Sequence, residues 1–326
     1  MAGPRLASVL DYTSLTRGRH ELRYAVAPLP DGSELTIPLT VLQGRKARPR
    51  LVAIAGVHGD EFPGPLALAD LAGRLEPGEL EGTVVLVPVA NPLAFNAGSR
   101  VSPEDGVNLN RVFPGRADGS LTDRLARALV EGIVQDADLA IDLHSAEPTG
   151  LMMPMAGFRE RSDRVAGASA RAAAAMGLEM FWMMRWAPGT LSTALNERGV
   201  PAVGCELGGG GVASDDEVAL YRRGVLRCLG LLGIHGSAIE PEVPAEVEVM
   251  DDLAAPASGL LDLAVGLRDP VQQGDLLARV LDPWGHAIAE LRAPRAGRVV
   301  HQRVFRQVRV GETVVSIGRK EANPAR

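Results

Sequence analysis

The chain has 326 residues, 46% hydrophobic and 23% charged, with a formal net charge of −6. That is enough length for one large core or two domains in an ordinary globular composition, and the negative balance disfavours a nucleic-acid binder, which carries a basic face. Two cysteines, Cys205 and Cys228, cannot build a disulfide framework; with no signal-peptide core and no run of about 18 apolar residues, a soluble cytoplasmic protein without membrane contact is expected.

From residue 34 to 235 short apolar runs alternate with helical patterns. "ELTIPLTVLQG" and "RLVAIAGV" read as strands, the second so apolar that both faces should be covered. "GPLALADLAGRL" has helical periodicity, and "TVVLVPVANP" is a buried strand closed by Asn91-Pro92. The stretch "NAGSRVSPEDGVNLNRVFPG", 96–115, has no period and reads as a long loop of the kind that is usually functional or disordered. Next come a helix from "GSLTDRLARALVEGIVQDA", with Ser120 and Asp123 in capping-box register, and the strand "DLAIDLHS". "PGTLSTALNERG" reads as a helix capped by Thr190, "PAVGCELGGGG" as a strand, and "SDDEVALYRRGVLRCLGLLGI" as a helix opened by Ser214 and Glu217. Such alternation predicts an α/β domain over 1–238 with a mixed, largely parallel central sheet flanked by helices.

The segment "GSAIEPEVPAEVEVMDDLAAPASG" reads as a linker or crossover. Beyond it, "ASGLLDLAVGLRDPVQQGDLLARVLD" and "RAPRAGRVVHQRVFRQVRVGETVVSIG" share one pattern of glycine, strand, Val-x-x-Gly-Asp/Glu and strand. The repeat predicts a small all-β domain of two similar halves over 239–326. It resembles the biotinyl/lipoyl barrel sandwich but lacks the lysine that would carry a cofactor.

His58 and Glu61 follow the strand "LVAIA" at i, i+3, and His144 ends "LAIDLHS". Ligands collect at the carboxyl ends of strands in open α/β sheets, and two histidines with one carboxylate are the donor set of a catalytic zinc site. Each alone would read as a polar loop residue; their joint position at strand ends points to metal. Arg100, Asn108, Asn110 and Arg111 give the long loop donors suited to an anion, or serve only to tie the loop down. Glu206, where an apolar strand runs into four glycines, is either a proton acceptor beside the metal or a strand-end acid paired with an arginine. The glycines would let backbone pass close to a ligand.

In order and spacing, G-x-H-G-D-E, N-P, an arginine, N-L-N-R-x-F-P-G, D-L-H-S and E-L-G-G-G-G resemble the succinylglutamate desuccinylase/aspartoacylase family of zinc amidohydrolases, related to the zinc carboxypeptidases. The resemblance spans roughly residues 30–235, and the branch most similar is the N-acetyl-diaminobutyrate deacetylases. It implies one Zn2+ on His58, Glu61 and His144, Glu206 as general base, Arg100 polarising the scissile carbonyl, and Asn110 with Arg111 clamping the substrate carboxylate. Asp142, two residues before His144 on one strand, either backs a ligand or is a plain strand-edge acid.

The function expected is hydrolysis of a small N-acyl amino acid. A zinc carboxypeptidase acting on a short peptide or conjugate, and a non-catalytic binding protein of the same fold, are the alternatives. The expected partner is a small carboxylate-bearing amide, with self-association into a homo-oligomer left open. Glu147, beside a pocket expected to be lined by Met152, Met153 and Met155, is a candidate contact for a cationic substrate group; otherwise it is a solvated loop acid. "MFWMM" at 180–184 and Trp186 read mostly as core.

Overall fold

The structure, a computed structural model, describes residues 5–7 and 10–325. Strands β1 (Arg5–Ala7), β2 (Gly18–Pro28), β3 (Glu34–Gln43) and β4 (Arg50–Ala55) lead into helix α1 (Pro63–Arg74), then β5 (Thr83–Val87) and α2 (Pro92–Ala97). Helix α3 (Leu121–Arg127), continued by a π turn over Ala128–Ile133, precedes β6 (Leu139–Leu143) and β7 (Gly150–Arg159). The next elements are α4 (Arg164–Met176), β8 (Met180–Met184), α5 (Leu191–Glu197), β9 (Ala202–Gly209) and α6 (Asp215–Leu231). Both capping boxes form, Ser120 with Asp123 and Ser214 with Glu217.

Every residue of β4 is buried, because the strand lies parallel between β5 and β6 with helices on both faces. Leu51, Ala53 and Ala55 join a core built with α1, α4 and α6; Val52 and Ile54 join another built with α3 and α5. The sheet is mixed. From β5 through β4 and β6 to β9 it is parallel, while β2, β3 and β5 pair antiparallel, as do β9 and β7. Strand β7, "GLMMPMAGFR", carries little sequence signal, since methionine, proline and glycine mark the strand period weakly; α4 is built largely of alanine, the strongest helix former, between Asp163 at its N-cap and Gly177 at its C-cap.

The segment expected to be a linker contains a strand. β10 (Glu246–Ala254) meets β8 at Glu248↔Trp182, and so extends the main sheet. After it come β11 (Gly259–Leu263), β12 (Pro270–Val271), β13 (Leu276–Leu281), β14 (Ala287–Arg292), β15 (Gly297–Arg303), β16 (Gln307–Val308) and β17 (Thr313–Ala322). β17 pairs with β10 and β15, and the end of β15 pairs with β7. Strands β14, β13, β11 and β16 form a second sheet, with a core of its own that includes Leu261, Leu277, Val299 and Ile317.

The two halves of the repeat exchange their short strands in matching register. β12 pairs with β15 through Val271↔Gly297, and β16 with β11 through Val308↔Gly259. A Cβ on Gly259 would lie 2.4 Å from the Leu281 carbonyl oxygen, and one on Gly297 would lie 2.5 Å from that of Gly318. Backbone approaches this close leave room for hydrogen alone, so the repeated glycine has a packing cause. Gly297→Ala should destabilise the protein by about 1–3 kcal/mol, read as a lowered melting temperature, whereas alanine at Gly274, where no atom lies within 4 Å and φ is +91°, should cost about 1 kcal/mol through backbone strain alone.

Candidate metal centre and its cavity

The turn after β4 carries His58 and Glu61, and the end of β6 carries His144; all three are buried. The Glu61 carboxylate bridges the two imidazoles, with Oε1 2.6 Å from His58 Nδ1 and Oε2 2.8 Å from His144 Nδ1. One donor atom from each of the three lies within 4.8 Å of the others, so they could hold one metal ion. The other ring nitrogens are held as well: His58 Nε2 lies 3.1 Å from Asn108 Oδ1, and His144 Nε2 lies 3.1 Å from Asp142 Oδ2. Fixing the far nitrogen with an oxygen is how proteins orient metal-binding histidines. Asp142 thus backs a candidate ligand, with its other oxygen lacking a partner among the described residues.

Electrostatics favour a cation at this point. Burial alone would lower the pKa of His144, but Asp142 and Glu61 hold it well above its ordinary value. Burial alone would raise Glu61, but His144 and His58 hold its carboxyl well below the usual range. The donor set and its surrounding charge fit a zinc ion.

A cavity of about 500 Å³ opens over these groups and is lined by His58, Arg100, Asn110, Arg111, His144 and Glu206 among others. Arg100 Nη1 lies 3.2 Å from Glu61 Oε1. The Asn110 side-chain oxygen accepts from the Leu191 backbone N–H at 2.9 Å, tying the long loop to the start of α5. Arg111 donates to the Asn110 carbonyl at 2.7 Å. Burial pushes Glu206 up to about 8, with His144 and Arg100 pulling against Glu61 and Asp142. No arginine makes a salt bridge with Glu206 among the described residues.

The catalytic-domain profile of the succinylglutamate desuccinylase/aspartoacylase family matches residues 47–232. The N-alpha-acetyl-L-2,4-diaminobutyric acid deacetylase of Halomonas elongata is 36% identical over 296 residues, covering 86% of this chain and 85% of its own length. The chain belongs to the succinylglutamate desuccinylase/aspartoacylase family. Among solved structures, the product-bound ectoine utilization protein EutE of Ruegeria pomeroyi is similar at a TM-score of 0.85 and 33% identity, covering 93% of this chain and 96% of that one. A succinylglutamate desuccinylase/aspartoacylase of Rhodobacter sphaeroides is similar at a TM-score of 0.87 and 27% identity, covering 97% and 100%.

Within this family member, several cavity residues lie outside the sequence expectations. Arg159, at the end of β7, is buried and donates to Ser192 Oγ, the Arg185 carbonyl and Thr190 Oγ1 at 2.9, 2.6 and 2.9 Å. Burial pushes its pKa down to about 10. Thr190 sits at the cap position of α5 but makes no cap bond with its hydroxyl, which accepts from Arg159 and lies 2.8 Å from the Ala187 carbonyl oxygen and 3.0 Å from Thr193 Oγ1. Trp182, Met183 and Met184 line the cavity and are not simply core; Met250 and Asp252 of β10 line it too.

Two expectations are corrected. Glu147 is exposed on the turn after β6 and outside the cavity wall, so it is not placed to meet a substrate there. Met153 and Met155 instead pack with Met180 and Val300, and Met152 packs against that cluster. The four glycines Gly208–Gly211 all have positive φ, and a Cβ on Gly208 would meet the Glu217 carboxylate at 2.0 Å. They serve the turn from β9 into α6 and do not line the cavity. Asp142→Asn should weaken zinc affinity roughly 10- to 100-fold, measured by chelator competition on the folded protein.

Proposed function

We propose that the protein is a zinc-dependent deacylase that hydrolyses the amide bond of a small N-acyl amino acid. One observation carries the reading: His58 and His144 of the candidate metal set line a single cavity together with Glu206 and several arginines. The substrate in the printed name of the Halomonas elongata relative, an N-acetylated diamino acid, supports the same class.

His58, Glu61 and His144 would hold the zinc. When bound there it supplies a Lewis acid that polarises an amide carbonyl and makes water more acidic. Glu206 takes the proton from the attacking water and returns it to the leaving nitrogen, a task suited to a carboxylate that lines the same cavity as His58 and His144. Arg100, fixed beside Glu61 at 3.2 Å, presents its guanidinium to the charge that develops on the carbonyl oxygen. Asn110 and Arg111 hold the substrate carboxylate, the fork of the guanidinium matching two oxygens. In this reading residues 1–238 carry the chemistry and residues 239–326, through β10, finish the substrate wall. The two free, buried cysteines suit a reducing cytoplasm.

A mass-spectrometric hydrolysis screen of N-acetyl, N-formyl and N-succinyl amino acids with the zinc-loaded protein tests the proposal. One acyl class should turn over. Glu206→Gln should lower kcat by about 10²- to 10⁴-fold with zinc content unchanged. Arg100→Ala should lower kcat by about 10²- to 10³-fold. No turnover of any N-acyl amino acid would overturn the reading.

A further inference from the structure

Four arginines line the cavity, and two of them meet an acid: Arg100 lies 3.2 Å from Glu61 and Arg185 lies 3.8 Å from Asp251. Arg111 and Arg159 meet none among the described residues; their hydrogen bonds go to carbonyls and hydroxyls. The acid whose charge Arg159 feels is Asp142, and that carboxylate is engaged by His144 at 3.1 Å. For Arg159 the lack matters, because its side chain is buried, and a buried guanidinium without a counter-charge is costly.

The segment 187–192 brings these two arginines to one place. The Gly189 carbonyl accepts from the Phe113 N–H at 3.0 Å, and a Cβ on Gly189 would lie 2.3 Å from the Arg111 carbonyl oxygen. Leu191 N–H meets Asn110, while Thr190 and Ser192 meet Arg159. The charge of Arg111 is felt at Arg159 and adds to the effect of burial in lowering its pKa. Arg159 gives one N–H from each nitrogen to Ser192 Oγ, Thr190 Oγ1 and the Arg185 carbonyl, so each terminal nitrogen keeps one to offer. Ser192 is also buried and also lines the cavity; its oxygen accepts from Arg159, and its hydroxyl hydrogen has no acceptor among the described residues.

We infer that Arg159 and Ser192 form, together with Arg111, the seat of the substrate's carboxylate, and that Arg159 is the residue that selects a free carboxylate over an uncharged end. The inference rests on the deacylase reading, which supplies a carboxylate-bearing amide as ligand, and adds to it the residue that does the selecting. A carboxylate offers two oxygens with about four acceptor sites, enough for the spare N–H groups of Arg159, the Ser192 hydroxyl and Arg111. The two arginines differ in preparation. Arg111 extends from the long loop and is held only by the neighbouring Asn110 carbonyl, whereas three acceptors from β8–α5 already fix Arg159. A side chain held before binding loses little freedom on binding. The anion in turn brings the counter-charge that the protein withholds.

Calorimetry on the full-length, zinc-loaded Glu206→Gln protein tests this without turnover. The probes are N-acetyl-2,4-diaminobutyrate and its carboxamide, which differ only at the carboxylate. The carboxylate form should bind more tightly. Adding Arg159→Gln should weaken that form roughly 10- to 100-fold and the carboxamide less than about twofold, with zinc content unchanged. A purely structural Arg159 would weaken both probes alike. Arg159→Lys keeps the cation and loses the fork, so it should give a smaller loss confined to the carboxylate, and it decides the matter if the glutamine variant does not fold. A carboxylate preference that is missing from the start, that survives the substitutions, or that persists while both probes weaken equally would overturn the subsite. A preference lost with Arg159 would uphold it even if the Glu206-intact protein hydrolysed no N-acyl amino acid, the result that would overturn the deacylase reading instead.

Discussion

A carboxylate as deeply buried as that of Glu61 stays ionised only where positive charge or strong donors meet it. Here two neighbouring imidazoles meet it, each on its own oxygen, and Arg100 approaches from the cavity. This arrangement requires the turn after β4 and the end of β6 to lie side by side, which parallel pairing of those strands secures. Asn108 and Asp142 then fix the far sides of the rings. The whole centre is thus a device for keeping one anion and two nitrogens aimed at a common point.

Outside that centre, Arg159 organises the cavity wall. It binds α5 through Ser192, the cap position through Thr190 and the β8–α5 connection through the Arg185 carbonyl. Its partners are neutral, so the guanidinium charge is not cancelled locally and contributes to the field in the cavity. Asn110 ties the same helix start to the long loop. Loop, helix and strand therefore share a small polar network, which holds the donors of the loop in place over the candidate metal centre.

The C-terminal strands belong to this same construction. By joining β8, β10 carries Met250 and Asp252 to the cavity, and by pairing with β7, β15 braces the other side of that sheet region. The exchange of short strands between the repeat halves gives this region its own core, so it can act as a rigid wall. No helix among the described residues is long and apolar enough to cross a membrane.

By itself the sequence determined the elements whose periods and caps are local: the buried run of β4, the capping boxes of α3 and α6, and the glycine-marked repeat. Motif order also pointed to His58, Glu61 and His144, because strand-end histidines and acids leave a readable signature. Other features depended on contacts that local pattern does not encode. Arg159, Trp182 and Asp252 lie far apart in the chain, and only sheet pairing makes them neighbours across one cavity. Glu147 looked well placed because it follows a strand-end histidine by three residues, yet the turn directs the chain elsewhere and leaves it exposed. Local spacing fixes which residues can share a strand or a turn; which walls face each other is decided by the order in which the strands pair.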